Sequence, residues 1–354
     1  MLKRWSNWRQ GVRVTEENIT LIAPPPILPF GNRYRWINKL NQRLTLNSIR
    51  KQLRVGGSDL YTMATADGLG RTNEQTPTDL YTYLPSAVDL LALFKFDQVI
   101  YDCVDDHAAF TGTHSAETLA NMERELCERA DLCLATATKL LEDRIQWNPN
   151  FQLVPNGVEY SRFAVAAESA GADDKPTDTA SISAADTPAS STPTIGFVGG
   201  ISDWINIELI AGTAALLPNY KFKLIGPIDT DVTVLENQPN IDLLGPKPYE
   251  DLPSYLRTFD VCLITFRINQ LSASVNPIKM YEYLAAGKAI VATPMPEVVR
   301  FATDNPGSIS IAATATETAA AIETYIAAQR ATDPVSRQAR IAAIAARQIG
   351  RAHV

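Results

Sequence analysis

Lys279 and Glu282 stand three residues apart in the run Asn276-Pro277-Ile278-Lys279-Met280-Tyr281-Glu282-Tyr283-Leu284-Ala285-Ala286-Gly287. On a helix that spacing places an ammonium and a carboxylate on one side. Two chemistries fit. One is a surface ion pair. Against it, Lys before Glu is the weaker order, and a lysine in the first helical turn opposes the positive end of the helix dipole. The other is an anion site: free N–H groups at a helix start bind phosphate, Lys279 adds charge, and Glu282 accepts from a sugar hydroxyl. The punctuation sets the helix boundaries, with Asn276 expected as N-cap, Pro277 at the first helical position and Gly287 at a left-handed exit.

Three further groups are candidates. Gly199-Gly200 follows the apolar run Thr194 to Val198, and such a turn lets a backbone approach a phosphate, although a tight strand-to-helix turn explains it equally. Arg267 follows a buried strand ending near Phe266, at the carboxyl edge where α/β proteins bind ligands, or else it is a solvated loop arginine. Tyr101-Asp102-Cys103-Val104-Asp105-Asp106-His107 lies just after another strand. His107 can donate to a phosphate or a sugar hydroxyl, and Asp105 or Asp106 can cap the next helix instead.

The elements that must position these groups alternate. Apolar runs at Val99–Tyr101, Asp131–Thr136, Phe151–Val154, Thr194–Val198, Phe222–Ile225, Val261–Thr265 and Lys288–Ala292 read as buried strands. Between them lie helical patterns such as Thr118 to Ala130, with Leu119, Met122 and Leu126 at core spacing. The 354 residues suffice for two domains. Residues 164–193, rich in Ala, Ser, Thr, Asp and Pro, read as a disordered linker. A net charge of −7 without a basic block argues against a nucleic-acid surface. Cys103, Cys127, Cys133 and Cys262 show no metal-ligand spacing, which favours buried reduced thiols in a cytoplasmic protein. No run is long enough to span a bilayer. Ile349 to Val354 reads as one frame of a sequencing adapter and is set aside from the fold.

In combination these segments resemble glycosyltransferase family 4. The resemblance rests on Val154-Pro155-Asn156-Gly157-Val158-Glu159 with Phe163, on Thr194 to Gly200 with Trp204, on Leu244-Gly245-Pro246 and Tyr249 to Leu256 leading into Phe259-Asp260-Val261, and on the Asn276 helix. It covers most of residues 80–330. It implies an α/β chain of the GT-B type, two Rossmann-like domains facing a cleft, and a retaining transferase moving sugar from a nucleoside-diphosphate sugar to a bacterial polysaccharide or cell-envelope acceptor. The partners so implied are a nucleotide-sugar donor and a glycan or lipid-linked acceptor, with no nucleic acid and with peripheral association at the inner membrane face.

The implied donor-binding residues are Gly199, Gly200, Arg267, Asn276, Lys279 and Glu282, and the implied catalytic residues are His107 and Asp106. No metal or other cofactor is expected, because neither Asp102 nor Asp105-Asp106 forms the Asp-x-Asp pair of the other large glycosyltransferase fold. The expected boundaries are residues 1–163 for the acceptor-side domain, 164–193 for the linker, 194–348 for the donor domain and 349–354 for the tail. The sequence departs from the family twice. Ser274 stands where a first Glu is common, and the opening strand and glycine-rich loop are not found after Met1, so the chain reads as truncated at both ends. A nucleotide-sugar epimerase of the same fold and an inactive binding fragment remain alternatives.

Overall fold

The computed structural model describes residues 12–14, 20–22, 28, 30–55, 78–109, 115–168 and 192–331. The expected tail and residues 169–191 of the expected linker lie outside them. The chain divides into two compact units, Met1–Leu153 and Val154–Val354.

In the first unit β1 (Val12–Val14) and β2 (Thr20–Ile22) pair antiparallel, and helix α1 (Arg35–Val55) follows. A parallel sheet then runs in the order of the chain: β3 (Asp79–Thr82), β4 (Gln98–Cys103), β5 (Leu132–Ala135) and β6 (Phe151–Leu153). Helix α2 (Ala116–Arg129) connects β4 to β5, and α3 (Thr138–Arg144) connects β5 to β6. Ser115 caps α2 by accepting from the Thr118 N–H. Met122, Leu126 and Cys127 of α2 pack on Tyr101, Cys103 and Cys133 of the sheet as one buried core.

The second unit starts earlier than the sequence suggests. Helix α4 (Tyr160–Glu168) belongs to it, because Val158 and Phe163 join its core. The expected boundary after residue 163 is thereby corrected to Leu153/Val154, and the expected linker begins inside a helix. Phe163, expected at the end of the first domain, instead anchors α4 in this unit, being fully buried and edge-on to the Tyr249 ring at 5.7 Å.

The unit's sheet comprises β7 (Thr194–Val198), β8 (Lys221–Ile225), β9 (Ile241–Gly245), β10 (Val261–Ile264), β11 (Ala289–Ala292) and β12 (Ile309–Ile311). Every described pairing in it is parallel, in the order β12-β11-β10-β7-β8-β9. The order reverses between β10 and β7. Connections from those two strands leave in opposite directions, and the crevice at their carboxyl ends is where such sheets take ligands. Helices α5 (Ile207–Leu216), α6 (Thr233–Glu236), α7 (Leu252–Arg257), α8 (Gln270–Ala273), α9 (Ile278–Ala285), α10 (Pro296–Asp304) and α11 (Ala315–Ala331) complete the unit. Gly287 leaves α9 at φ +66°, the left-handed exit its sequence position predicts.

Candidate donor-binding site at the strand crossover

At the carboxyl end of β7 the chain turns through Gly199, whose φ of +145° suits glycine alone. The neighbouring strand ends at Gly226, φ +149°, where an added Cβ would lie 1.9 Å from the Gly199 carbonyl oxygen. Two backbone turns therefore touch with no room for side chains, and the Gly199 N–H donates to the Ile225 carbonyl at 2.8 Å. Gly226 carries no motif of its own, so the sequence reading does not mark it.

Helix α9 delivers Lys279 to this turn. Its Nζ lies 4.6 Å from the Phe197 ring centroid and 5.2 Å from that of Phe266. A Cβ on Gly199 would stand 2.5 Å from the same Nζ. Phe197 comes from β7 and Phe266 from just beyond β10, so the ammonium sits at the crossover of the strand order. Lys279 has no ion-pair partner among the described residues, and the surface-bridge reading with Glu282 is not what the structure holds. Loss of water around the ammonium lowers its pKa to about 8, against a smaller opposing pull from Glu282.

Glu282 is buried, 8% exposed. Burial raises its pKa, while a hydrogen bond from the Tyr249 hydroxyl and the charge of Lys279 act the other way. The same surroundings push the Tyr249 hydroxyl up to about 12, burial first and the carboxylate second. Tyr249 precedes α7, and its ring lies 5.4 Å from the Arg162 guanidinium carbon. Tyr283, next to Glu282, fixes the helix against β7: its hydroxyl accepts from the Val198 N–H at 2.8 Å and donates to the Val198 carbonyl at 3.3 Å.

Asn276 is not the N-cap. The helix starts at Ile278, and Pro277 occupies the cap without a side-chain bond. The Asn276 carbonyl instead accepts from Asn156 Nδ2 at 2.7 Å, which ties the Pro155-Asn156-Gly157 turn to the entrance of α9. Its side chain is buried and neighbours Tyr281, and its Oδ1 has no hydrogen-bond partner. Arg267 pairs with Glu208 at 2.6 Å and donates to the Asp203 carbonyl at 3.0 Å on an exposed edge, so its charge has a partner in the fold. Gly200 follows the turn, and an added Cβ there would meet the Ser202 hydroxyl at 3.9 Å, an ordinary contact.

In the first unit His107 is half-buried and its Nε2 lies 2.9 Å from the Tyr83 carbonyl oxygen. Asp106 is 7% exposed and pairs with Arg144 at 3.4 Å. Arg144 in turn forks onto both carboxylate oxygens of Glu123 at 3.0 Å each, and Tyr101 donates to Glu123 at 2.6 Å. Asp106 is thus a member of a buried structural cluster, which its sequence position beside His107 does not reveal. Neither it nor Asp105 caps α2, whose cap is Ser115. The four cysteines are free and buried.

Known proteins place this geometry in context. The sucrose-phosphate synthase tll1590 of Thermosynechococcus elongatus superposes with a TM-score of 0.62 at 16% identity, over 96% of this chain and 84% of that one. Anabaena Alr3699/HepE, solved in complex with UDP and glucose, gives 0.56 at 14% identity, over 78% of this chain and 75% of its own. These likenesses establish the fold as GT-B, built of two Rossmann-like units. In sequence, the "Putative teichuronic acid biosynthesis glycosyltransferase TuaH" of Bacillus subtilis (strain 168) is 28% identical over 231 residues, 61% of this chain. The chain spans 55% of that relative's length. Residues 192–328, which contain Gly199, Gly200, Arg267, Asn276, Lys279 and Glu282, match the family described as Glycosyl transferases group 1.

Proposed function

We propose that this chain is a retaining glycosyltransferase that moves sugar from a nucleoside-diphosphate sugar to a glycan or lipid-linked acceptor of the bacterial cell envelope. One observation carries the reading. The Lys279 ammonium stands at the crossover of a doubly wound sheet, held by two aromatic rings rather than by a carboxylate, beside a glycine turn and one helical turn before a buried carboxylate. A half-buried ammonium with no ion-pair partner among the described residues is complementary to a diphosphate, whose developing charge it stabilises as the sugar departs. Glu282 then takes the ribose hydroxyls as acceptor. The group 1 match over residues 192–328 supports this assignment, and the TuaH likeness supports a cell-envelope acceptor. His107 is proposed, on the family resemblance, as the first unit's contact with the donor sugar. Asp106 acts through the turn it anchors. Donor binding in this reading needs no metal.

Calorimetry on the full chain tests the assignment. UDP or GDP should bind far more tightly than uridine or guanosine, with chelator making no difference. Equal affinity for diphosphate and nucleoside would exclude a phosphate site at Lys279. Interconversion of a nucleotide sugar without acceptor would move the chain to the epimerases.

A further inference from the structure

Lys279 and Glu282 both ride on α9, so what sets the position of that helix sets theirs. At eight residues, Ile278–Ala285, it is only about 12 Å long. Its second turn is fixed by Tyr283, whose hydroxyl bonds both the N–H and the carbonyl of Val198 on β7. Lys279 lies in the first turn, and there no side chain caps the helix. Pro277 holds the cap position, and its carbonyl accepts from the Met280 N–H at 3.0 Å. The Asn276 carbonyl stands just ahead of that ladder, on a residue that is buried. The proline after it steers Asn276 away from helical backbone, which leaves the carbonyl to find its partner elsewhere in the fold.

Asn156, 120 positions earlier in the chain, is that partner: its Nδ2 donates at 2.7 Å. The turn that carries it is itself held. Val158 beside it is buried in the same core as Met280 and Leu284 of α9, and α4, which follows, packs against α9. A carboxamide with a fixed backbone therefore holds a carbonyl three residues before Lys279. The ammonium is sensitive to that hold. It lies 4.6 Å and 5.2 Å from the Phe197 and Phe266 ring centroids, and the attraction of a cation to a ring fades beyond about 6 Å. A tilt of α9 that withdraws its entrance by about 1.5 Å would take the ammonium out of reach of both rings.

We propose that Asn156 is a positioning residue, whose hydrogen bond to the Asn276 carbonyl anchors the entrance of α9 and so places the Lys279 ammonium against Phe197 and Phe266. Its share in donor binding rests on the sugar-transfer reading; the placement of the ammonium does not. Two measurements on the full chain separate them. The first follows the Lys279 side chain, labelled with carbon-13 at Cε and assigned by its absence from Lys279→Met, through a pH titration by nuclear magnetic resonance. In the parent its midpoint should lie near 8, and in Asn156→Ala it should move up toward the ordinary lysine range as the ammonium regains water. Asn156→Gln, which keeps a carboxamide donor, should recover part of the shift. The second is calorimetry with UDP and uridine. Asn156→Ala should weaken UDP about two- to tenfold, the worth of one hydrogen bond, spare uridine, and cost nothing further in Lys279→Ala. Circular dichroism checks folding, and Asn156→Ser, too short to reach the carbonyl, carries both measurements if the alanine variant does not fold. A midpoint unmoved by the loss of Asn156 would overturn the proposal. So would equal losses for UDP and uridine, the mark of a residue that only supports the fold. If the parent bound no UDP, the sugar-transfer reading would fall and the titration alone would decide the role of Asn156.

Discussion

Two charged clusters lie beside the carboxyl ends of parallel strands, one in each unit, and they are built on opposite plans. Beside β4, Glu123, Arg144 and Asp106 satisfy one another, with the Tyr101 hydroxyl and the Cys103 thiol also donating to Glu123. Beside β7 and β10, Lys279 meets aromatic faces and Glu282 meets a single phenol. A buried charge whose partners are all protein groups is part of the architecture. A half-buried cation with no ion-pair partner among the described residues, and with only a weak pull from a nearby carboxylate, is complementary to an anion from outside. The difference explains why Asp106, which neighbours the more suggestive histidine, is the weaker candidate for chemistry.

The comparison predicts opposite responses to removing the cation. Arg144→Met would leave Glu123 buried without its partner, and urea unfolding should show a loss of about 3–5 kcal/mol. Lys279→Met should leave stability equal or higher. The sign follows from linkage: the folded pKa of Lys279 is depressed to about 8, so the unfolded chain binds more protons and stability rises with pH through that window. Equal destabilisation by the two variants would erase the distinction between the clusters.

Diphosphate binding should respond the other way round. Lys279→Ala is expected to weaken UDP by about 1.5–3 kcal/mol, the range of a hydrogen bond to a charged group, and to spare uridine. Arg144→Lys, which keeps the buried charge, should bind UDP as the parent does. Loss of UDP affinity in Arg144→Lys alone would place the anion site in the wrong cluster.

How much of this was legible in the sequence depends on burial. Strands β10 and β11 are buried at every position and read as continuous apolar runs. Strands β9 and β12 lie at the two edges of the sheet with partly exposed residues, carry no such run, and were not marked. Lys279 and Glu282 were visible because proline and glycine punctuate their helix. The Asn276 cap failed because Asn156, far along the chain, takes the carbonyl and the helix begins one residue later than a Pro at its first position would give. Phe197, Phe266 and Tyr249 are ordinary aromatics in sequence. Their part in the site comes from the strand order that brings them around α9, which no local pattern encodes.

The unpaired state of Lys279 also makes a pH prediction. Its ammonium is needed for diphosphate, and in the free protein it deprotonates near 8. Affinity for UDP should be full below that value and fall as pH rises through it, by roughly tenfold between about pH 7 and 9, or about 1.4 kcal/mol. Lys279→Arg should flatten the profile, because a guanidinium stays charged across this range. A parent profile that stays flat would mean the ammonium is better hydrated than its aromatic cage implies.

The smallest expected effect concerns the phenol that holds Glu282. Tyr249 keeps most of its ring in place through Phe163 and Arg162, so Tyr249→Phe removes one hydroxyl and little packing. Without that donor the Glu282 carboxylate loses a stabilising partner and its orientation toward the ribose. UDP affinity should drop by about 0.5–1.5 kcal/mol, the net worth of one hydrogen bond. The decisive readout is a nucleotide that lacks both ribose hydroxyls. If Tyr249 acts through Glu282, Tyr249→Phe should leave 2′,3′-dideoxy-UDP binding unchanged and should add nothing to Glu282→Gln. An equal loss for UDP and its dideoxy analogue would show that the hydroxyl supports the fold of the crevice rather than the carboxylate. The contrast between the paired and unpaired clusters would then rest on Lys279 alone.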